Sequence, residues 1–288
     1  MDGYSRSLED YEVYVMSDKE LFIAHIEKRL HEEKDAIRRQ WLTPEGTNTR
    51  HFFIDDLLPP EQCQRIYEAF PKDGHGFFTR DSFREKKRTS ANLSAYDPIL
   101  SEITYAFQYP KIVDTITESV GFTNIEPDPE LYAGGLSMMF CGDYLNPHID
   151  NSHDAKRKRY RRLNLLYHVS PDWGFDSGGN FELWDESRMS PKTIVSRRNR
   201  LVVMETNKTS WHSVSPVNVD GPRCCVSNYY FSEVSPDETD YFHVTSFSGR
   251  PDEKLKRLIG SFDNALRNFV STILGTGRGK NLVNKSKN

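Results

Sequence analysis

The 288-residue sequence holds only four cysteines, Cys63, Cys141, Cys224 and Cys225, and none of them forms a CxxC pair. A zinc site built from thiolates needs a different spacing, so the cysteines read as four reduced thiols in a reducing compartment. No apolar run approaches the roughly 18–20 residues of a membrane span, and no membrane partner is expected. The opening MDGYSRSLEDYEVYVMSDKE is acidic and polar, unlike a secretory or transit segment, and the expected location is cytoplasmic. A strong charge of one sign is also missing. Lys+Arg total 38 against 42 Asp+Glu, and the net charge of -4 argues against a general nucleic-acid or anionic-membrane binder. Internal repeats are absent. Gly178-Gly179 is followed by neither a G-x-G-x-x-G helix start nor a phosphate-loop lysine, so it reads as a tight turn into a strand.

What is present suits a globular chain with one sizeable core. Residues 1–18 are expected to be flexible. Residues 19–135 read as a helical support region with short strands. Lys19 to Trp41 predicts a helix carrying Phe22, Ile26, Leu30 and Ile37 near one face. Thr49 to Ile54 predicts a short strand. Pro59 and Pro60 open a helix ending near Phe70. Gly74 to Tyr96 has no sustained period and reads as a surface connection or a substrate-covering loop. Another helix is predicted over Ile99 to Val120.

From Leu136 the texture changes to short strand-like runs separated by turn residues. They are Leu136–Cys141, Arg162–Val169, Gly179–Trp184, Lys192–Val195, Leu201–Thr206, Trp211–Val217 and Cys224–Phe231. That spacing predicts a mainly β core over 136–233, a closed sheet or double-sheet jelly roll with flanking helices. A C-terminal helical segment over 234–274, with apolar residues at helical spacing from Asp252 to Leu274, and a disordered basic tail over 275–288 complete the expectation.

Within this core Tyr144-Leu145-Asn146-Pro147-His148-Ile149-Asp150 presents an H-x-D pair at a strand end. Residues two apart on an extended chain point to the same side, so both can reach one ion. A second histidine, His212, lies far downstream; His153 and His168 compete with it. Two imidazoles and a carboxylate on one face of a metal leave coordination positions open, and iron(II) suits that mixed donor set. Arg223 begins the last strand-like run. Its planar fork can pair with a carboxylate through two parallel hydrogen bonds, although an arginine opening an edge strand is the plainer reading of that residue alone.

The pieces "YLNPHID", "RRLNLLYHVSPDW", "GGNFELWD", "NRLVVME", "WHSVSPV" and "PRCCVSNYYFS" occur in an order and spacing that resembles the double-stranded β-helix (jelly-roll, cupin-like) core of prolyl-4-hydroxylase-like 2-oxoglutarate/iron(II) dioxygenases. The resemblance covers about a third of the chain. It implies His148, Asp150 and His212 as metal ligands and catalytic residues, and Arg223 as the 2-oxoglutarate-binding cation. The implied cofactors are Fe(II), 2-oxoglutarate and O2, and the implied chemistry is hydroxylation of an unactivated C–H bond of a small metabolite, glycan or peptidyl residue, with release of succinate and CO2. Many relatives carry a cosubstrate-binding tyrosine where this sequence has His168 beside Tyr167. Period two puts Asn164, Leu166 and His168 on one face and Leu165 and Tyr167 on the other, so Asn164 and His168, or else Tyr167, are candidate cosubstrate contacts. Halogenating relatives lack the carboxylate that Asp150 supplies, which points to oxygen insertion.

Two alternatives stay open. A different metalloenzyme with the same ligands, a 2-oxoglutarate-independent oxygenase or a hydrolase, would tolerate Arg223→Ala. A non-catalytic jelly-roll binding module would tolerate Asp150→Ala. The substrate is not specified by these motifs. The basic run Lys156 to Arg162, next to the H-x-D segment, reads as a solvated loop or as an electropositive rim that leans toward an acidic substrate.

Overall fold

The computed structural model describes residues 16–253 apart from position 238. The first fifteen residues, most of the C-terminal helix expected over 252–274 and the basic tail lie outside them.

In chain order the elements are helices α1 (Asp18–Glu32) and α2 (Lys34–Leu42), strand β1 (His51–Ile54), α3 (Pro60–Ala69), β2 (Phe78–Asp81), β3 (Glu85–Ser90), α4 (Pro98–Ala106) and α5 (Pro110–Val120). The strands β4 (Glu126–Pro127), β5 (Gly135–Met139), β6 (Tyr144–Ile149), β7 (Tyr160–His168), β8 (Phe181–Trp184), β9 (Pro191–Ile194), β10 (Arg200–Glu205), β11 (His212–Val214), β12 (Arg223–Ser232) and β13 (Ser246–Phe247) follow. Local chemistry sets several boundaries. Ser17 and Glu20 close a capping box at the start of α1. Pro60, Pro98 and Pro110 each stand in a first helical turn, where a missing N–H costs nothing. Gly121, at φ +73°, ends α5 in the left-handed conformation.

Three expectations need correction. The helix predicted from Lys19 to Trp41 is two helices, with Glu33 leaving helical geometry (ψ 6°) between them. The helix predicted from Ile99 to Val120 is interrupted after Ala106, because the residue before a proline avoids the helical region and Tyr109 is extended before Pro110. The stretch from Gly74 to Tyr96 is no plain connection: it contains the β2–β3 hairpin, and β3 is integral to the sheet.

The sheet runs β1-β10-β7-β12-β5-β3-β6-β11-β8-β9, with antiparallel neighbours. It curls at β3, whose Arg88–Ser90 half pairs with β5 and whose Glu85–Lys86 half pairs with β6. The two halves of the sheet therefore face each other, as in a double-stranded β-helix. Period two sorts their side chains. Leu163, Leu165 and Tyr167 of β7 join Phe22, Ile26, Trp41, Ile103 and Ile116 from the helices in the main apolar core. Asn164 and Leu166 point the other way, into the space between the halves. The helices thus stiffen one half from behind and leave its inner face to the site. No helix among the described residues is long and apolar enough to cross a membrane.

Candidate active site

His148 and His212 are direct cross-strand neighbours on β6 and β11, and Asp150 follows the last residue of β6. Their ligand atoms lie within 4.8 Å of one another, the one group of three or more His, Cys, Asp or Glu residues with metal-holding geometry among the described residues. The Nδ1 of His148 is 3.0 Å from the Asn146 carbonyl and that of His212 is 3.0 Å from the Ser210 carbonyl. A carbonyl only accepts, so Nδ1 carries the proton in both rings and each Nε2 lone pair faces the centre. The two Nε2 atoms stand 3.7 and 3.6 Å from the Asp150 carboxylate, too far to hydrogen-bond and spaced for a shared ion.

The electrostatics favour this ligand state. Burial pushes the His148 imidazolium down to about 3, with the neighbouring His212 adding to the effect, and burial likewise lowers His212. Burial alone would raise the Asp150 carboxyl. The Arg161 guanidinium 3.1 Å away and the two imidazoles outweigh it and hold the group well below the usual carboxylate range. Asp150 also accepts a 3.2 Å hydrogen bond from the Tyr229 hydroxyl. Two neutral imidazoles and an ionised carboxylate are what a divalent metal requires.

The triad opens on two adjoining chambers. The inner one, about 610 Å³, lies between the sheet halves and is walled by Met139, Leu145, Leu166, Phe181 and Val214, with Asn164 and Arg223 among its polar groups. Arg223 is buried, and among the described residues no carboxylate pairs with it. Among the described residues its guanidinium meets the Ser196 hydroxyl, at 3.0 and 3.2 Å, and the Met139 sulfur. Gly179, at φ +60°, passes so close that a Cβ there would lie 2.7 Å from the Arg223 side chain, so the glycine pair does more than turn the chain. The Asn164 Oδ1 and both ring nitrogens of His168 are buried without a hydrogen-bond partner. A buried cation and orphaned polar atoms near one chamber fit a dicarboxylate chelating a metal at one end and meeting Arg223 at the other.

The alternative face of β7 is corrected here. Tyr167 does not approach this chamber; it is buried in the helix-backed core and donates a 2.7 Å hydrogen bond to Asn199. His153 stands apart from the triad, against the Tyr160 ring and the Ser152 hydroxyl. The basic run is also no uniformly solvated loop: Arg161 is 2% exposed and spans Asp150 and Asn151, while Arg159 pairs with Asp154 and Glu126.

The outer chamber, about 580 Å³, is lined by Arg80, Glu85, Lys87, Tyr132, Arg161, Tyr229 and Phe247 among others. Sequence reasoning missed Glu85, Lys87 and Tyr229, and also Phe247, which stacks on His148 at 5.2 Å. The alternation in "EKKRTS" puts Glu85, Lys87 and Thr89 on one face, the only available signal, and a uniformly polar strand conceals it.

The family model described as the 2OG-Fe(II) oxygenase superfamily matches residues 134–231. The prolyl 3-hydroxylase OGFOD1 of Mus musculus is 30% identical over 88 residues, 28% of this chain; the chain spans 16% of that relative's length. A prolyl-4-hydroxylase of Pseudomonas putida superposes with a TM-score of 0.52 at 12% identity, covering 69% of this chain and 98% of its own, a likeness of fold. A prolyl hydroxylase of Trichoplax adhaerens gives 0.49 at 15% identity over 72% and 92% of the two chains.

Proposed function

We propose, for a chain whose residues 134–231 match the model of the 2OG-Fe(II) oxygenase superfamily, that the protein is an iron(II)- and 2-oxoglutarate-dependent dioxygenase. Its overall reaction converts 2-oxoglutarate, O2 and a substrate C–H bond into succinate, CO2 and the hydroxylated product. The observation that carries this reading is the His148–Asp150–His212 cluster opening on a chamber that also holds the buried Arg223, which no carboxylate of the described residues neutralises.

In this reading His148, Asp150 and His212 hold the metal, and Arg223 receives the far carboxylate of 2-oxoglutarate, with Asn164 and His168 offering their orphaned polar atoms nearby. The bound iron with its cosubstrate supplies the oxidising power that no side chain has. The chain supplies position and dryness. Two backbone carbonyls aim the imidazoles, Arg161 and Tyr229 fix the second oxygen of Asp150, and the apolar wall of Phe181, Leu145 and Val214 keeps water from the inner chamber. The four cysteines are free thiols, in keeping with a reducing, cytoplasmic setting.

Anaerobic titration with iron(II) and 2-oxoglutarate tests the assignment. A weak charge-transfer band near roughly 500 nm is expected, absent in His212→Ala and Asp150→Ala. Removing the chamber's cation in Arg223→Ala should weaken 2-oxoglutarate binding by about 30-fold or more. A folded, iron-loaded protein without the band would overturn the reading.

A further inference from the structure

We propose that the open seam of the double sheet, between β1, β9 and α2, is a second ligand site, separate from the metal centre. It takes a small hydroxylated oxyanion, a sugar phosphate or a sugar acid, on Arg39 and Lys192, with a ligand hydroxyl donating to His51.

The strand order begins at β1 and ends at β9, and among the described residues each of these strands pairs with one neighbour only. The two halves of the sheet are therefore not laced together on this side. Between the end strands and α2 lies a cavity of about 900 Å³, larger than the 610 and 580 Å³ chambers at the triad. Another strand cannot fill it from the β1 side. The Gln40 side chain already occupies that edge, donating to the Phe53 carbonyl at 3.2 Å and accepting from the Phe53 N–H at 3.0 Å. Period two turns His51 and Phe53 away from the main core that holds Phe52 and Ile54. Phe53 packs instead on the cluster of Phe181, Leu183, Ile194, Val202 and Met204. Phe181 also walls the inner chamber, so this apolar cluster stands between the two spaces.

The polar groups name the ligand. His51 is 4% exposed, and its Nδ1 is 2.9 Å from the Thr49 carbonyl. A carbonyl only accepts, so Nδ1 carries the proton and Nε2 is a bare lone pair, with no donor among the described residues. Burial, with the Lys192 ammonium adding to it, holds this imidazole below its usual 6.5, so the lone pair stays free at neutral pH. A buried acceptor lining a cavity calls for a donor on whatever fills it. Two cations line the same cavity, the half-buried Lys192 and the exposed Arg39, and no carboxylate of the described residues pairs with either. Glu45 shares the wall and is likewise unpaired. A bare anion would satisfy the cations but meet Glu45 and the His51 lone pair with nothing to donate. A hydroxylated anion answers both sets at once.

The test titrates the full chain calorimetrically with glucose 6-phosphate and gluconate, their neutral counterparts glucose and gluconamide, and the bare anions phosphate and acetate. One-to-one binding of at least one hydroxylated anion is expected, about 10-fold or more tighter than its neutral counterpart and its bare anion. The phosphate and carboxylate arms tell the two sources apart. Lys192→Met and Arg39→Gln should each weaken that binding about 10-fold, with unchanged far-ultraviolet circular dichroism. Lys192→Arg should keep it, and so should Arg223→Ala, which alters only the inner chamber. His51→Phe should bring the hydroxylated anion down to the level of the bare one. Binding kept in Lys192→Met but lost in Arg223→Ala would put the anion in the inner chamber and overturn the proposal. No preference over the neutral counterpart, equal binding of the bare anion, or no binding of any probe at about 10 mM would overturn it as well. None of these outcomes bears on the iron assignment, which the visible band tests separately.

Discussion

An imidazole buried with both nitrogens unpartnered, as His168 is, has to stay neutral to stay buried. Burial and the Arg223 cation hold it well below its usual 6.5. As pH falls the unfolded chain takes up this proton first, so the stability tied to neutral His168 is complete above 6.5 and is lost progressively below it. Thermal midpoints measured from about pH 8 to 5 should decline less steeply in His168→Gln than in the wild type; an equal decline would show that the folded protein accepts the proton. Residues at this scale were unevenly legible. His148, Asp150, His212 and Arg223 could be named as candidates because their order and spacing resemble one family, and the structure brings the first three together. Lys87 and Arg161 could not, since each hides in a run of like residues where only the fold decides which one turns inward. Asn164 and Tyr167 were separable only as a pair of opposite faces; the helices covering one side of β7 settled which was which.

Elements were read well where composition changes abruptly and poorly where one polar texture continues. Strands β7, β10 and β12 announce themselves as apolar runs because both faces are covered, one by helices and one by the opposing half-sheet. The hairpin β2–β3 lies at the mouth and is polar on both faces, so period carried little information. The segment 241–250 was misread: it fell within the helical segment expected over 234–274, and its described residues hold a short strand and no helix. It crosses the ligand strand as β13, donates a hydrogen bond from Ser248 to the Pro147 carbonyl, and ends at Arg250, which grips Glu182 at 2.7 Å. Glu182 is 6% exposed, so Arg250→Ala strands a buried carboxylate and should cost about 3 kcal/mol in denaturant melts. Glu182→Gln added to Arg250→Ala should recover part of that loss. Equal stability of the single and double variants would mean the carboxylate finds water instead.

At the scale of the molecule the site is a joint between two half-sheets, with the candidate metal ligands at β6 and β11 and Arg223 on β12 across from them. A ligand that touches both sides ties them together and stabilises the fold by mass action. Saturating manganese(II) with N-oxalylglycine, an inert 2-oxoglutarate analogue, should raise the thermal midpoint by about 5 °C. His212→Ala should abolish the rise and Arg223→Ala should reduce it to that of manganese alone. A full rise in Arg223→Ala would place the analogue elsewhere. The ligand strand has a further property. Upstream β3 pairs only its first half, through Tyr144 and Leu145, and β13 takes the same edge at His148 and Ile149, while β11 holds the other edge. The unit that can be cut out, transplanted or recombined is therefore larger than the segment that matches the family model. An excised fragment spanning only 134–231 would keep every metal ligand yet leave the strand that bears His148 as a raw edge, open to pairing with its own copies, and would be expected to clump before it bound iron.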